Sequence, residues 1–214
     1  MGRTLRVGFG ICCMCLLLMG TLLSCGSARK STASLGDGMH TTVRDHLSPE
    51  ERRRFDYYFL EAVRLKERGD WDSAFDMYSH CLGIDPKSAV TLYELSKIQM
   101  YLGFHEEGEA ALKEAVGLEP QNYWYKETLA AYYQGKGENE KAIEVIEDMT
   151  IQFPSRLEPL MALVDLYNRT RNYEQVIHTL NRLERLDGKS EQISMEKFRM
   201  YLAMDNNEQA FQEI

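Results

Sequence analysis

The chain has 214 residues, of which 44% are hydrophobic and 27% charged, with 33 acidic against 25 basic side chains and a formal net charge of −8. That length can bury one sizeable core, and the acidic balance excludes a surface built to neutralise a phosphate backbone. The only basic cluster, Arg52-Arg53-Arg54, follows Glu50 and Glu51. It reads first as a solvated helix start, with lipid head-group contact as the alternative.

At the N-terminus, Arg3 and Arg6 precede an apolar run from Val7 to Leu23 that ends in small residues. Residues 1–24 therefore read as an export leader, too short for a membrane-spanning helix. The sequence Leu22-Leu23-Ser24-Cys25-Gly26 resembles a bacterial lipobox. The resemblance implies that Cys25 is acylated as the first residue of the mature protein and anchors the chain in the bacterial cell envelope; Gly26, rather than an aspartate, favours the outer membrane. Cys12, Cys13 and Cys15 leave with the leader, so Cys81 alone remains and no intramolecular disulfide is expected. Residues 25–47 are polar and small and read as a flexible tether. Structure is expected from residue 48, where Ser48-Pro49-Glu50-Glu51 offers an N-cap, a proline at the first helical position and a capping-box glutamate.

From there the chain repeats. Pro86, Pro120 and Pro154 stand 34 residues apart, with Gly69, Gly103 and Gly137, and Ala74, Gly108 and Ala142, in the same frame. Within the first copy, Tyr58, Phe59, Ala62, Val63 and Leu65 follow helical spacing until Arg68-Gly69-Asp70 interrupts. Trp71, Ala74, Phe75, Tyr78, Cys81 and Leu82 then resume it. Glycine suits the left-handed end of the first helix, Asp70 caps the second, and Pro86 stops it. The small residues at fixed phase, Cys81 among them, predict closely packed helices. The copies span about 55–88, 89–122, 123–156 and 157–190, with an incomplete one at 191–214.

This pattern resembles the tetratricopeptide repeat. The first copy meets it with Tyr58, Ala62, Leu65, Ala74, Tyr78, Cys81 and Pro86, and the second with Leu92, Leu95, Ser96, Gly108, Leu112, Ala115 and Pro120. The third copy offers Lys126, Leu129, Ala130, Tyr133, Ala142, Ile146, Met149 and Pro154. The fourth has Leu160, Leu163, Val164, Tyr167, Val176, Leu180 and Leu183, with Gly188 where the proline should be; Glu61 and Gln99 depart from the pattern. The resemblance implies an all-α fold, an α-solenoid of helix-turn-helix repeats forming a right-handed superhelix. It also implies a groove lined by the first helices that binds protein segments. Its positions fall on Phe59, Tyr93, Lys97, Met100, Tyr101, Trp124, Glu127, Met161, Asp165 and Asn168. Packing against the neighbouring repeat is the competing expectation for Phe59, Tyr93 and Trp124. The carboxylate clamp of some members is not matched by Phe59, Val63 and Glu94.

His40, His46, His80, His105 and His178 lack metal-ligand spacing, and Gly135-Lys136-Gly137 falls in a helix turn and lacks the flanks of a phosphate loop. No catalytic motif stands out, and no cofactor, metal or nucleic acid is expected. The sequence reads as a non-enzymatic, lipid-anchored scaffold for an envelope protein. Glycan capture by a nutrient-uptake lipoprotein is the alternative, disfavoured by regular repeats and short loops. Because the fifth copy stops short in its second helix, a longer natural chain or a covering partner is also expected.

Overall fold

Ser48 starts the first helix because its neighbours complete a reciprocal cap. The Glu51 amide donates to the Ser48 hydroxyl at 3.3 Å and the Ser48 amide to the Glu51 carboxylate at 2.9 Å, while Pro49 sits where a missing N–H costs nothing. The computed structural model describes residues 46–214, and in that stretch ten helices form five antiparallel pairs. They are α1 (Pro49–Glu67) with α2 (Trp71–Ile84), α3 (Ala89–Tyr101) with α4 (His105–Leu118), and α5 (Tyr123–Lys136) with α6 (Asn139–Gln152). Then come α7 (Glu158–Arg169) with α8 (Tyr173–Asp187), and α9 (Glu191–Ala203) with α10 (Asn207–Glu213). Each helix packs against the next in the chain, the all-α solenoid that the repeat requires.

One refinement concerns the start. Leu47, grouped with the polar tether on sequence grounds, is buried, and His46 lies 3.3 Å from Asp85. The packed array thus begins two residues ahead of the cap. The leader, Cys25 and the rest of the tether up to residue 45 lie outside the described residues.

The turn within each pair is the same hydrogen-bonded device. The amides of Asp70, Phe104, Glu138, Asn172 and Asn206 donate back to Leu65, Gln99, Tyr133, Tyr167 and Tyr201 at 2.8–3.0 Å, the six-to-one bond of a Schellman ending. Such an ending needs one left-handed residue. Gly69, Gly103 and Gly137 supply it at φ of 77°, 90° and 75°, but the fourth and fifth repeats force Arg171 and Asp205 to φ of 57° and 58°. Asp70 caps α2 by accepting from the Ser73 amide at 3.3 Å.

Pro86, Pro120 and Pro154 fall two residues beyond α2, α4 and α6, and the residues before them, Asp85, Glu119 and Phe153, have left helical geometry. The small repeat positions are the closest approaches. Ala62, Ala74 and Cys81 are fully buried, with the Cys81 thiol directed at the Phe55 carbonyl at 3.7 Å. A Cβ on Gly108 would stand 2.8 Å from Met100 Cγ and 2.9 Å from the Ser96 carbonyl oxygen, so only glycine lets α3 and α4 meet there. Of the two departures from the pattern, Glu61 pairs with Arg64, while the Gln99 side-chain oxygen is buried without a hydrogen bond.

Candidate functional site

First helices of adjacent repeats meet through side chains, α1 with α3, α3 with α5, and α7 with α9. Between the first and second repeats, Lys66 of α1 donates to Glu94 of α3 at 2.5 Å, and Lys97 approaches the same carboxylate at 3.5 Å. Phe59 lies half-buried, stacked on Phe55 at 5.9 Å and edge-on to Tyr78 at 5.5 Å, so its ring is used in packing. Between the second and third repeats, Tyr93 stacks on Tyr125 at 4.6 Å and shares a hydrogen bond with Thr128 at 3.1 Å, while the Lys97 ammonium sits 4.9 Å above the Tyr93 ring. Tyr93 is therefore chiefly a junction residue, with Lys97 left exposed at its edge.

Of the remaining predicted residues, Met100 is half-buried over Gly108. Tyr101 is 66% exposed, but its ring leans on Trp71 of α2 at 4.6 Å, at the turn end of the pair. Trp124 is 60% exposed, with only its edge against Tyr123 at 5.4 Å, and Glu127 beyond it on α5 is exposed. On α7, Met161 is 61% exposed, Asp165 pairs with Arg169, and the Asn168 amide donates to Glu196 of α9 at 3.4 Å.

Met161 opens into a cleft of about 310 Å³ between α7, α8 and α9. Its apolar wall is Leu157, Met161, Val164, Leu180, Leu183 and Ile193, and its two charged lining residues, Asp187 and Glu196, are both acidic. The size lies at the lower end of ligand sites. The structure thus places Met161 in the cleft, with Asn168 reaching its lining residue Glu196, and sets Tyr93 beside Lys97, whereas Phe59, Met100 and Tyr101 are used in other contacts.

Several residues at these junctions carry no signal within a single copy. Tyr125 and Ile193 share one register position, and Glu94, Thr128 and Glu196 share another, with no single residue type kept at either. Lys126 and Lys197 occupy inward positions and are nearly fully buried. Lys126 pairs with Asp148, and Lys197 reaches Glu213 at 2.8 Å and Glu184 at 3.1 Å. Elsewhere, burial pushes Glu109 up, but hydrogen bonds from Lys113 and Lys136 outweigh it and hold the carboxyl at about 2. That is an ion-pair lattice between α4 and α5 rather than an acid–base pair. Among the described residues, no group of three or more His, Cys, Asp or Glu could hold a metal ion, and no helix is long and apolar enough to cross a membrane.

Residues 89–122 match the family model of the tetratricopeptide repeat. Among solved structures, the chain is similar to a tetratricopeptide repeat protein from Parabacteroides merdae, at 21% identity and a TM-score of 0.60 over 75% of this chain and 65% of that one. It is likewise similar to a MamA protein, at 18% identity and a TM-score of 0.58 over 75% of this chain and 87% of that one. A MamA from Desulfovibrio magneticus superposes at 16% identity and a TM-score of 0.55 over 75% and 90% of the two chains. No curated protein matches the sequence. Residues 89–122 thus carry a tetratricopeptide repeat by sequence, and the described residues share the fold of tetratricopeptide repeat structures.

Proposed function

We propose that this protein is a non-enzymatic scaffold that holds another polypeptide against its first-helix face, tethered through an acylated Cys25 in the bacterial envelope, at the outer membrane. The observation that carries the reading is the exposure of Trp124 and Met161 on α5 and α7, large apolar side chains that a folded array leaves in water. Rigid aromatics and adaptable methionines provide contact area at little entropic cost, the chemistry of polypeptide recognition. Lys97, Glu127, Asp165 and Asn168 stand on the same set of first helices and offer groups able to fix register. The anchor rests on the lipobox-like residues 22–26 alone.

Photo-reactive side chains at positions 124 and 161, compared with positions 144 and 178 on the second helices, test the face. Discrete polypeptide adducts from the first pair and none from the second are expected. Equal adducts from both pairs contradict the reading. Mass spectrometry of the membrane-extracted protein tests the anchor, which predicts a chain beginning at an acylated Cys25.

A further inference from the structure

The 34-residue repeat makes the protein its own control, because a residue at one junction can be compared with its counterpart at another. Tyr93 and Tyr125, which close the junction between the second and third repeats, correspond in register to Met161 and Ile193 between the fourth and fifth. Two stacked rings become two aliphatic chains. Val164 and Val176 also stand where the earlier repeats carry alanine, serine or glycine, a change that further alters the packing of α7 on α8. The cleft lies at this altered junction.

The polar partners change as well, here against the junction between the first and second repeats. Glu94 of the second repeat corresponds to Glu196 of the fifth, Lys97 to Arg199, and Lys66 to Asn168. Glu94 thus receives two cations, Lys66 at 2.5 Å and Lys97 at 3.5 Å. Glu196 receives one, Arg199 at 3.2 Å, together with the neutral Asn168 amide at 3.4 Å. Asp187 corresponds to Glu119, which accepts from the Asn122 amide at 3.0 Å and lies beside the Tyr125 phenol. At the later junction those two donors are replaced by Ser190 and Ile193. Glu196 therefore has one cation fewer than Glu94, and Asp187 lacks the Asn122 amide and Tyr125 phenol that Glu119 has.

We propose that the cleft between α7, α8 and α9 receives a lysine or arginine side chain of the partner polypeptide. Its methylenes lie along Met161, Val164, Leu180 and Ile193, and its charged head lies at Asp187 and Glu196, in place of the cation that Lys66 provides to Glu94. Lysine and arginine are the side chains that combine an apolar stem with a charged tip, matching an apolar wall with carboxylates. The net charge of −8 also favours encounter with a basic segment. This inference rests on the reading of the first helices as a polypeptide-binding face and names the partner's chemistry there.

The test is a titration of the full chain, labelled with 13C at the methionine methyls, with N-acetyl-arginine methylamide, its lysine analogue and its norleucine analogue. The Met161 resonance is identified by its loss in Met161→Leu. The arginine and lysine probes are expected to shift it saturably, and the norleucine probe, with the same stem and no charge, much less. Asp187→Asn combined with Glu196→Gln is expected to weaken the cationic probes by about tenfold or more, since a charge-assisted contact is worth at least that factor. No saturable shift, an equal shift with norleucine, or an unchanged affinity in the double variant overturns the proposal. Should the double variant fail to fold, the wild-type comparison of arginine with norleucine decides alone. Failure here, with photo-adducts still confined to positions 124 and 161, removes the basic side chain and leaves the binding face standing.

Discussion

The junction between the second and third repeats and the junction between the fourth and fifth share one sequence register and differ in what fills it. The first is closed: Tyr93 lies on Tyr125, Thr128 takes the hydroxyl, and Lys97 covers the ring. The second is open: Met161 and Ile193 leave a cleft of about 310 Å³ with two acidic residues in its lining. On the proposed reading, a repeat protein turns a structural contact into a recognition site by removing ring volume relative to the junction of the second and third repeats, and one cation relative to the junction of the first and second. On that reading, stability and recognition belong to different junctions of the same array.

Truncation should expose that division most strongly. Tyr125→Ala is expected to cost about 3 kcal/mol in urea unfolding, since a buried aromatic leaves a cavity, whereas Met161→Ala on the solvent-exposed rim should cost under about 1 kcal/mol. Equal costs would mean that the two junctions are packed alike. Lys66→Ala should follow at about 1.5 kcal/mol, because it removes a charge-assisted bond from the partly buried Glu94, while Asn168→Ala should cost less than about half of that.

The α4–α5 contact adds a pH signature to the closed half. Glu109 is held at about 2 against its ordinary 4.5, so the stability it contributes is full above pH 4.5 and lost as the pH falls through about 2. Melting temperature should therefore decline over that window, and Glu109→Gln should flatten the decline; an unchanged slope would remove the ion-pair account. The smallest effect should come from the turns. Arg171→Gly relieves a left-handed non-glycine and should stabilise by about 0.5–1 kcal/mol, with Asp205→Gly gaining less because aspartate tolerates that region.

Much of the framework was legible because it depends on local chemistry repeated in register. Ser48, Gly69, Asp70 and Pro86 each act within a few residues of themselves, and the structure uses them as caps, turn and stop. Even so, Arg171 and Asp205 show the turn overriding residue preference when the rest of the Schellman pattern is in place. The candidate site was less legible. Helical phase puts Phe59, Tyr93 and Met161 on equivalent positions, yet it cannot tell that Phe59 meets Tyr78, that Tyr93 meets Tyr125, and that Met161 meets open space. That outcome depends on a partner residue roughly one repeat away and on the separation of stacked helices. Lys126 and Lys197 were hidden for a related reason, since a lysine goes inside only when a neighbouring helix brings a carboxylate.

The most direct measurement is the arginine-amide titration on Asn168→Lys beside the wild type. Lysine at 168 restores to Glu196 the cation that Lys66 gives Glu94, so the variant should be more stable by about 1 kcal/mol and should bind the probe about tenfold more weakly. If the variant is stabilised and yet binds the probe as the wild type does, the missing cation is not what the cleft recognises, and the account of the open junction fails.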